Sequence, residues 1–418
     1  MERRSVSDLR EHFQKILRIA EEDPKLLIDH AEETEGTKLG DNYMSVVLKT
    51  RVTGRRGSGE TYSGSFMTKY YPRHRATVQV IRNADLFVNE AHMYNRVLPH
   101  LPDIAPRCVF ADQEEIVMAD LKDEGYVVMP RLKLLDLEHC KAVVQKLAKL
   151  HGRSYALKRR DPQKFQELLS PTKEAVFPPD DGPCLGSSLD ISINTGIAHL
   201  KFLDDSSEEL RTAIDFIERL IGKSFDIMRD QVLSGRGKYD VLSHGDAWNN
   251  NILFKHEDDD HVVDVKLIDF QIPRHASAAI DFHYFMYSSA KSVVIEENYE
   301  EVIKSYHSAL VDSLRQSSVP EGDVREMSLD WFQGELQKHH LYGLITSFWL
   351  VHAVLAEENE TINMDDFSAD FIAEVEKIEP VITRKKAERI RCIVLHWLRR
   401  YRSRDSEVAR LNKQTKKI

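Results

Sequence analysis

Between residues 242 and 271 the chain reads LSHGDAWNNNILFKHEDDDHVVDVKLIDFQ. Two runs rich in Val, Ile, Leu and Phe flank the acidic turn HEDDDH, the pattern of a β-hairpin. Closing that hairpin returns Asp269, at the end of its second strand, to the side of Asn251, at the start of its first. Few architectures hold one such hairpin inside an otherwise helical stretch. The segments around it therefore decide the fold.

The first third is β-rich. VVLKTRV (46–52) and YSGSFMTKYY (62–71) are strand-like runs on either side of the turn GRRGSGE, and they read as a second hairpin. A helix precedes them, with Leu9, Phe13, Ile16, Leu17 and Ile19 at helical spacing and Ser5 or Ser7 available as N-cap. Another follows, carrying Phe87, Ala91, Tyr94 and Leu98 on one stripe and ending at Pro99. After the short strand EEIVMADL the pattern turns helical. One stripe runs from Leu137 to Tyr155, residues 160–196 read as an irregular insertion, a helix is expected near Glu208 to Arg229, and the chain beyond about Asn298 is helical by pattern. At 418 residues the chain exceeds one simple core. The expectation is an α+β, two-lobed fold: a β-rich N-lobe over 1–119 and a mainly helical C-lobe over 120–418, with its core at about 120–290.

Asp246 precedes Asn251 by five positions, and Asp269 follows eighteen further on. Phosphoryl transfer asks a protein to position a hydroxyl and to neutralise charge on the phosphates. Asp246 suits the acceptance of a hydroxyl proton, and Asn251 with Asp269 suits a hard cation such as Mg²⁺. An isolated HGD or IDF tripeptide is common, and a loop Asp or Asn usually caps a turn. Their order around one hairpin is what points to chemistry. Lys69, late in a strand, and Glu90, on the next helix, suit the lysine–glutamate pair that grips ATP phosphates, although exposed Lys and Glu are the norm. LGDNYMS (39–45) places Gly40 and Ser45 where a turn can aim N–H groups at phosphate, with no GxGxxG or GxxxxGK[ST] to strengthen the reading. Met118, Ala119, Asp120 and Leu121 fall at the expected lobe connection, where backbone can meet adenine.

A net charge of −10 argues against nucleic acid as the main partner. The four cysteines, Cys108, Cys140, Cys184 and Cys392, are far apart and read as reduced thiols of a cytoplasmic protein. MERRSVSDLREHF is charged, so no secretory leader is expected. LYGLITSFWLVHAVLA (341–356) is too short for a membrane span and reads as a core helix. The basic segment from Arg384 to Lys417 reads as an amphipathic terminal helix, with binding to an anionic surface as the alternative. The group His339, His340, Tyr342, Phe348, Trp349 and His352 is either core or the lining of an acceptor pocket.

The chain resembles the ecdysteroid kinase-like (CHK kinase-like) family over roughly residues 30–400. The resemblance rests on GDNYMS, on Lys69 followed by Pro72, on FVNEAHMYNRVLP, IVMADL and LAKLHGRSYA, and on HGDAWNNNILF and IDFQ followed by AIDFHYF. It implies a protein-kinase-like bilobal fold, use of ATP with Mg²⁺, and phosphorylation of a small-molecule alcohol, ecdysteroids being the family's named substrate. It further implies that Asp281 ties the catalytic loop in place and that His244 packs behind the site. Ala119 stands where the family usually has an acidic residue, and Phe282 follows Asp281 where Leu is common. The acceptor expected from this resemblance, and from Tyr284, Phe285, Tyr287, Phe348 and Trp349, is a largely apolar alcohol. A choline-type kinase and a silent nucleotide-binding scaffold are the alternatives. A protein kinase is disfavoured, because Gln271 replaces the Gly of DFG and no APE follows.

Overall fold

A computed structural model describes residues 4–36, 46–73, 82–180, 186–233, 237–257, 261–357, 360 and 381–402. In chain order the elements are α1 (Val6–Ala20), β1 (Leu27–Glu35), β2 (Val46–Arg55), β3 (Thr61–Tyr70), α2 (Asn83–His92), β4 (Cys108–Ala111), β5 (Glu115–Ala119) and β6 (Tyr126–Val128). Then follow α3 (Leu137–Arg160), α4 (Pro162–Leu169), α5 (Gly186–Phe202), α6 (Glu208–Glu218), α7 (Ser224–Leu233), β7 (Val241–Ser243), β8 (Ile252–His256), β9 (Val262–Leu267) and β10 (Arg274–Ala276). The rest is helical: α8 (Ala279–Ser289), α9 (Ser292–Glu297), α10 (Tyr299–Gln316), α11 (Glu321–Glu326), α12 (Leu329–Lys338), α13 (His340–Val354) and α14 (Arg384–Trp397).

The expected α+β class is the observed one. Five strands form one antiparallel sheet in the order β1-β2-β3-β5-β4. Alternation along β5 assigns its two faces. Val117 joins Phe66, Val52, Ile28 and the apolar stripe of α1 in one small core. Ile116 and Met118 join Phe87, Met93 and Tyr94, on and just after α2, in the large core shared with the helices. Lys69 sits opposite Ile116 in the β3–β5 register, so it shares the α2 face. Ser5 caps α1 by accepting from the Asp8 N–H at 3.2 Å. The hairpin expected around HEDDDH, between NILF and VVDVKLIDF, is β8–β9, with β6 as a third strand on its edge. The expected core helix is α13, eleven of whose fifteen residues are buried.

Four expectations need correction. β1 was not expected: only Ile28 and Ala31 of its nine residues are buried, and a bulge between Ile28 and His30 breaks the period of two. The single helix near Glu208 to Arg229 is two, α6 and α7, separated around Gly222 at φ +75°. The insertion at 160–196 holds α4 and the start of α5, and is irregular over 170–180 among its described residues. The helix through Leu98 is regular only to His92 and continues as a π turn to Val97. The basic segment is helical over α14, which buries Ile390, Val394 and Trp397 in the core, as an amphipathic terminal helix should; its end lies outside the described residues. Among the described residues no helix is long and apolar enough to cross a membrane.

Candidate active site

Two groups of side chains meet where the sheet faces the β8–β9 hairpin. In the first, Lys69 Nζ donates to Glu90 Oε2 at 2.6 Å and to Asp269 Oδ1 at 2.9 Å. Burial works against the Lys69 charge, but the charges of Asp269 and Glu90 outweigh it and raise its pKa. For Glu90, burial and then the Asp269 charge push upward against the pull of Lys69. The shifts of Lys69 and Glu90 thus favour opposite states of the pair. With 2.6 Å between Lys69 and Glu90 and a second carboxylate on the same ammonium, the charged pair is the better description.

The second group is the loop after β7. Ile252 pairs with Leu267 across the hairpin, and the Ile268 N–H donates to the Asn251 carbonyl at 3.0 Å. Asp269 therefore emerges next to Asn251, with φ +67°, a left-handed conformation that Asp and Asn adopt more readily than most residues. Asn251 Nδ2 donates to the Asp246 carbonyl and to Asp246 Oδ2, both at 2.9 Å. Only an amide nitrogen can face two acceptors, so Asn251 Oδ1 is the atom left for a cation. Asn251 Oδ1 and the Asp269 carboxylate are two adjacent oxygen donors of the kind that suits Mg²⁺.

Asp246 Oδ1 accepts from the Tyr284 hydroxyl at 2.5 Å. Burial first, then the Asp269 charge, raise the Asp246 carboxyl to about 7, against hydrogen bonds from Tyr284 and Asn251. Behind the loop, Asp281 accepts from the N–H groups of His244 at 2.6 Å and Gly245 at 2.8 Å. His151 contacts Asp281 at 3.0 Å and Tyr306 at 2.7 Å. Burial would raise Asp281, but His151 and His244 with the Gly245 N–H hold it below the usual aspartate value. Both His244 ring nitrogens are engaged: Nε2 with the Ile268 carbonyl at 2.9 Å, and Nδ1 as acceptor of the Asp246 N–H at 3.2 Å. Burial lowers its pKa, so the ring is neutral.

Gly245 has φ +84°, and a Cβ there would lie 1.8 Å from the Ile272 carbonyl oxygen. The strained conformation and the clash add, so Gly245→Ala is expected to destabilise the fold by about 2–5 kcal/mol. Urea unfolding reads this, and an unchanged midpoint would mean that the loop has room to move.

Asp120 is a cap. Its side chain accepts from Lys122 N at 3.0 Å and Ser65 Oγ at 3.0 Å and pairs with Lys49 at 2.5 Å. The Ala119 N–H goes to the Arg107 carbonyl and the Asp120 N–H to the Ser65 carbonyl. Met118 and Leu121 are buried on either side. Gly40 and Ser45 lie outside the described residues.

Sequence reasoning passed over Asn89, whose amide donates to the Lys173 and Gln271 carbonyls at 2.8 and 3.1 Å and whose oxygen accepts the Lys173 N–H at 2.9 Å. These bonds tie α2, and with it Glu90, to the segment after Asp269. It also passed over the buried Glu174–Arg274 pair and gave Tyr284 no partner. Of the aromatic residues offered for an acceptor pocket, Phe285, Tyr287 and Phe348 are fully buried in the core. His340 accepts from Trp397 at 2.8 Å. Those four residues are core, which corrects the pocket reading for them, whereas His339, in contact with Gln231 at 3.1 Å, lines a cavity.

A sequence profile described as the ecdysteroid kinase-like family matches residues 39–319, more than half of the chain. The chain belongs to that family. The match is narrower than the resemblance over 30–400, yet every residue named for nucleotide, cation or catalysis lies within it, and only the aromatic and histidine group at 339–352 falls outside. Membership makes the protein a small-molecule kinase-type phosphotransferase. No curated protein matches the chain. Among solved structures, the apoenzyme of a macrolide 2′-phosphotransferase from Brachybacterium faecium is similar at 13% identity and TM-score 0.35, covering 80% of this chain and 97% of that one. A microcompartment-associated aminopropanol kinase is similar at 11% identity and TM-score 0.37, covering 95% of this chain and 98% of that one.

Proposed function

We propose that this family member transfers the γ-phosphate of ATP, as its Mg²⁺ complex, to a hydroxyl of a largely apolar alcohol, an ecdysteroid being the leading candidate. The observation that carries the reading is the meeting of two groups of side chains at Asp269 and its neighbour Asn251. Lys69 is held between Glu90 and Asp269, and the Asp246 carboxylate is held by Asn251 on the adjoining loop.

In this reading Lys69 neutralises phosphate oxygens, and Glu90 holds it in place. Asn251 and Asp269 hold the cation. Mg²⁺ bound there supplies charge neutralisation on the transferring phosphoryl group. Asp246 orients the acceptor hydroxyl and takes its proton as the new O–P bond forms and ADP departs. Asp281 fixes the loop through the N–H groups of His244 and Gly245. The nucleotide-positioning turn is assigned to Gly40 and Ser45, and the adenine contact to residues 118–121. With the Ala119 and Asp120 N–H groups engaged, those two residues have only their carbonyl side to offer an adenine amino group. The lobe boundary is placed between 119 and 120, and the cytoplasm is the proposed site of action.

A cavity of about 460 Å³ is lined by polar groups that include Arg82, Glu174, Asp240, Arg274 and His339, but not Asp246 or Asp269. It is not assigned to the acceptor. Support for an apolar acceptor is family membership, now without Phe285, Tyr287 and Phe348. The test is turnover of ecdysteroids and hydroxylated xenobiotics in competition with choline and ethanolamine, read by mass spectrometry for one added phosphate. Phosphate on the apolar panel is expected. Modification of choline or ethanolamine alone would overturn the acceptor assignment, and no ATP-dependent product at all would point to a silent scaffold.

A further inference from the structure

We propose that Tyr284 is a positioning residue of the phosphoryl-transfer site, its hydroxyl holding the Asp246 carboxylate in one orientation. The proposal rests on the reading of Asp246 as the proton acceptor. Three residues apart on α8, Asp281 and Tyr284 share a face. Asp281 takes two N–H groups of the catalytic loop, and Tyr284 donates to that loop's own carboxylate. One helix therefore fixes both the backbone and the reactive side chain.

The hydroxyls of the other buried tyrosines nearby go elsewhere. Tyr287 contacts His396, Tyr306 contacts His151, and Tyr342 accepts from Arg274 at 3.1 Å. The Tyr284 ring is backed by Tyr342, with centroids 6.4 Å apart, and Arg274 is locked to Glu174 behind it. Asp246 thus has one donor on each oxygen, Tyr284 on Oδ1 and Asn251 on Oδ2. Each carboxylate oxygen keeps a second lone pair, so a substrate hydroxyl can still be received in a fixed plane.

The groups that face Asp246 are Asp269 from the end of β9, Asn251 and His244 from its own loop, Tyr284 from α8 and Arg274 from β10. Tyr284 donates more strongly to the ionised carboxylate than to the neutral carboxyl. Removing its hydroxyl leaves the other groups in place and frees the Asp246 carboxylate to turn about its bond to Asn251.

The test is steady-state and single-turnover kinetics of phosphate transfer from ATP to an ecdysteroid acceptor. Tyr284→Phe is expected to lower kcat by roughly tenfold or more, with KM for ATP unchanged. Tyr287→Phe, one turn along α8, is expected to change neither. In the Asp246→Asn background Tyr284→Phe is expected to lower kcat no further, because it acts through the carboxylate that is gone. If Tyr284→Phe fails to fold, 4-aminophenylalanine at 284, a weaker donor of the same shape, is expected to lower kcat severalfold. A wild-type kcat in these variants, or an equal further loss in the Asp246→Asn background, overturns the proposal. Wild-type turnover by Asp246→Asn itself overturns instead the assignment of Asp246 as proton acceptor.

Discussion

Asp246→Asn is expected to lower phosphoryl transfer by about 10²–10⁴-fold while leaving nucleotide binding intact. The substitution is nearly isosteric, and its surroundings can accept an amide. Its oxygen can face Asn251 Nδ2, where Asp246 Oδ2 now accepts at 2.9 Å. Its nitrogen can donate to the Tyr284 hydroxyl, which acts as acceptor as readily as donor. The loop keeps its shape because Asp281 holds it through backbone N–H groups. What disappears is the lone pair that takes the proton. Single-turnover assays read the loss, and calorimetry reads ATP affinity. Near-wild-type rates would remove Asp246 from the mechanism.

The same variant tests the electrostatics. The folded protein raises the Asp246 carboxyl from its ordinary value to about 7. A raised carboxyl contributes stability below its unfolded value, and that contribution is lost as pH rises through the folded value. Wild type therefore forfeits stability between about pH 4 and 7, and Asp246→Asn, which cannot ionise, does not. The variant should melt above wild type at pH 8, by about 1–3 kcal/mol of stability given the remaining exposure of the residue, and the gap should narrow towards pH 5. Melting curves at the two pH values decide it. A site that gains stability when its reactive group is silenced is one where function is maintained against folding.

Much of this site was legible because its logic is local. The β8–β9 hairpin follows from alternating apolar runs around an acidic turn, and the register of Ile252 with Leu267 leaves Asp269 nowhere to go but beside Asn251. Lys69 and Glu90 were legible through order, as strand and following helix. The unread parts depend on what packs where. β1 is an edge strand with two buried residues, so its charged sequence carries no period of two. Tyr284 and Phe285 are adjacent aromatic residues on α8, yet one donates to Asp246 and the other is wholly core. Only the rotation of the helix separates them. Asn89 reads as a polar residue beside Glu90 until Lys173 and Gln271, both far along the chain, arrive at its amide.

Asp269→Asn should weaken MgATP binding by at least about 10–100-fold and remove most of its dependence on the metal. Asparagine is the informative substitution, because position 269 sits at φ +67°, where Asn is tolerated and Ala is strained. The fold should survive, since the hairpin register and the Ile268–Asn251 bond do not involve the side chain. What changes is charge. Lys69 loses one of its two carboxylate partners, and the cation keeps a neutral amide oxygen in place of an ionised one. Calorimetric titration with ATP, with Mg²⁺ and with chelator, separates the two effects. The chelator curve should change little, and the Mg²⁺ curve should collapse towards it. Asp269 also raises the Asp246 carboxyl, second only to burial, so removing its charge should move the Asp246 midpoint to lower pH. MgATP affinity unchanged in Asp269→Asn would mean that the cation is held elsewhere.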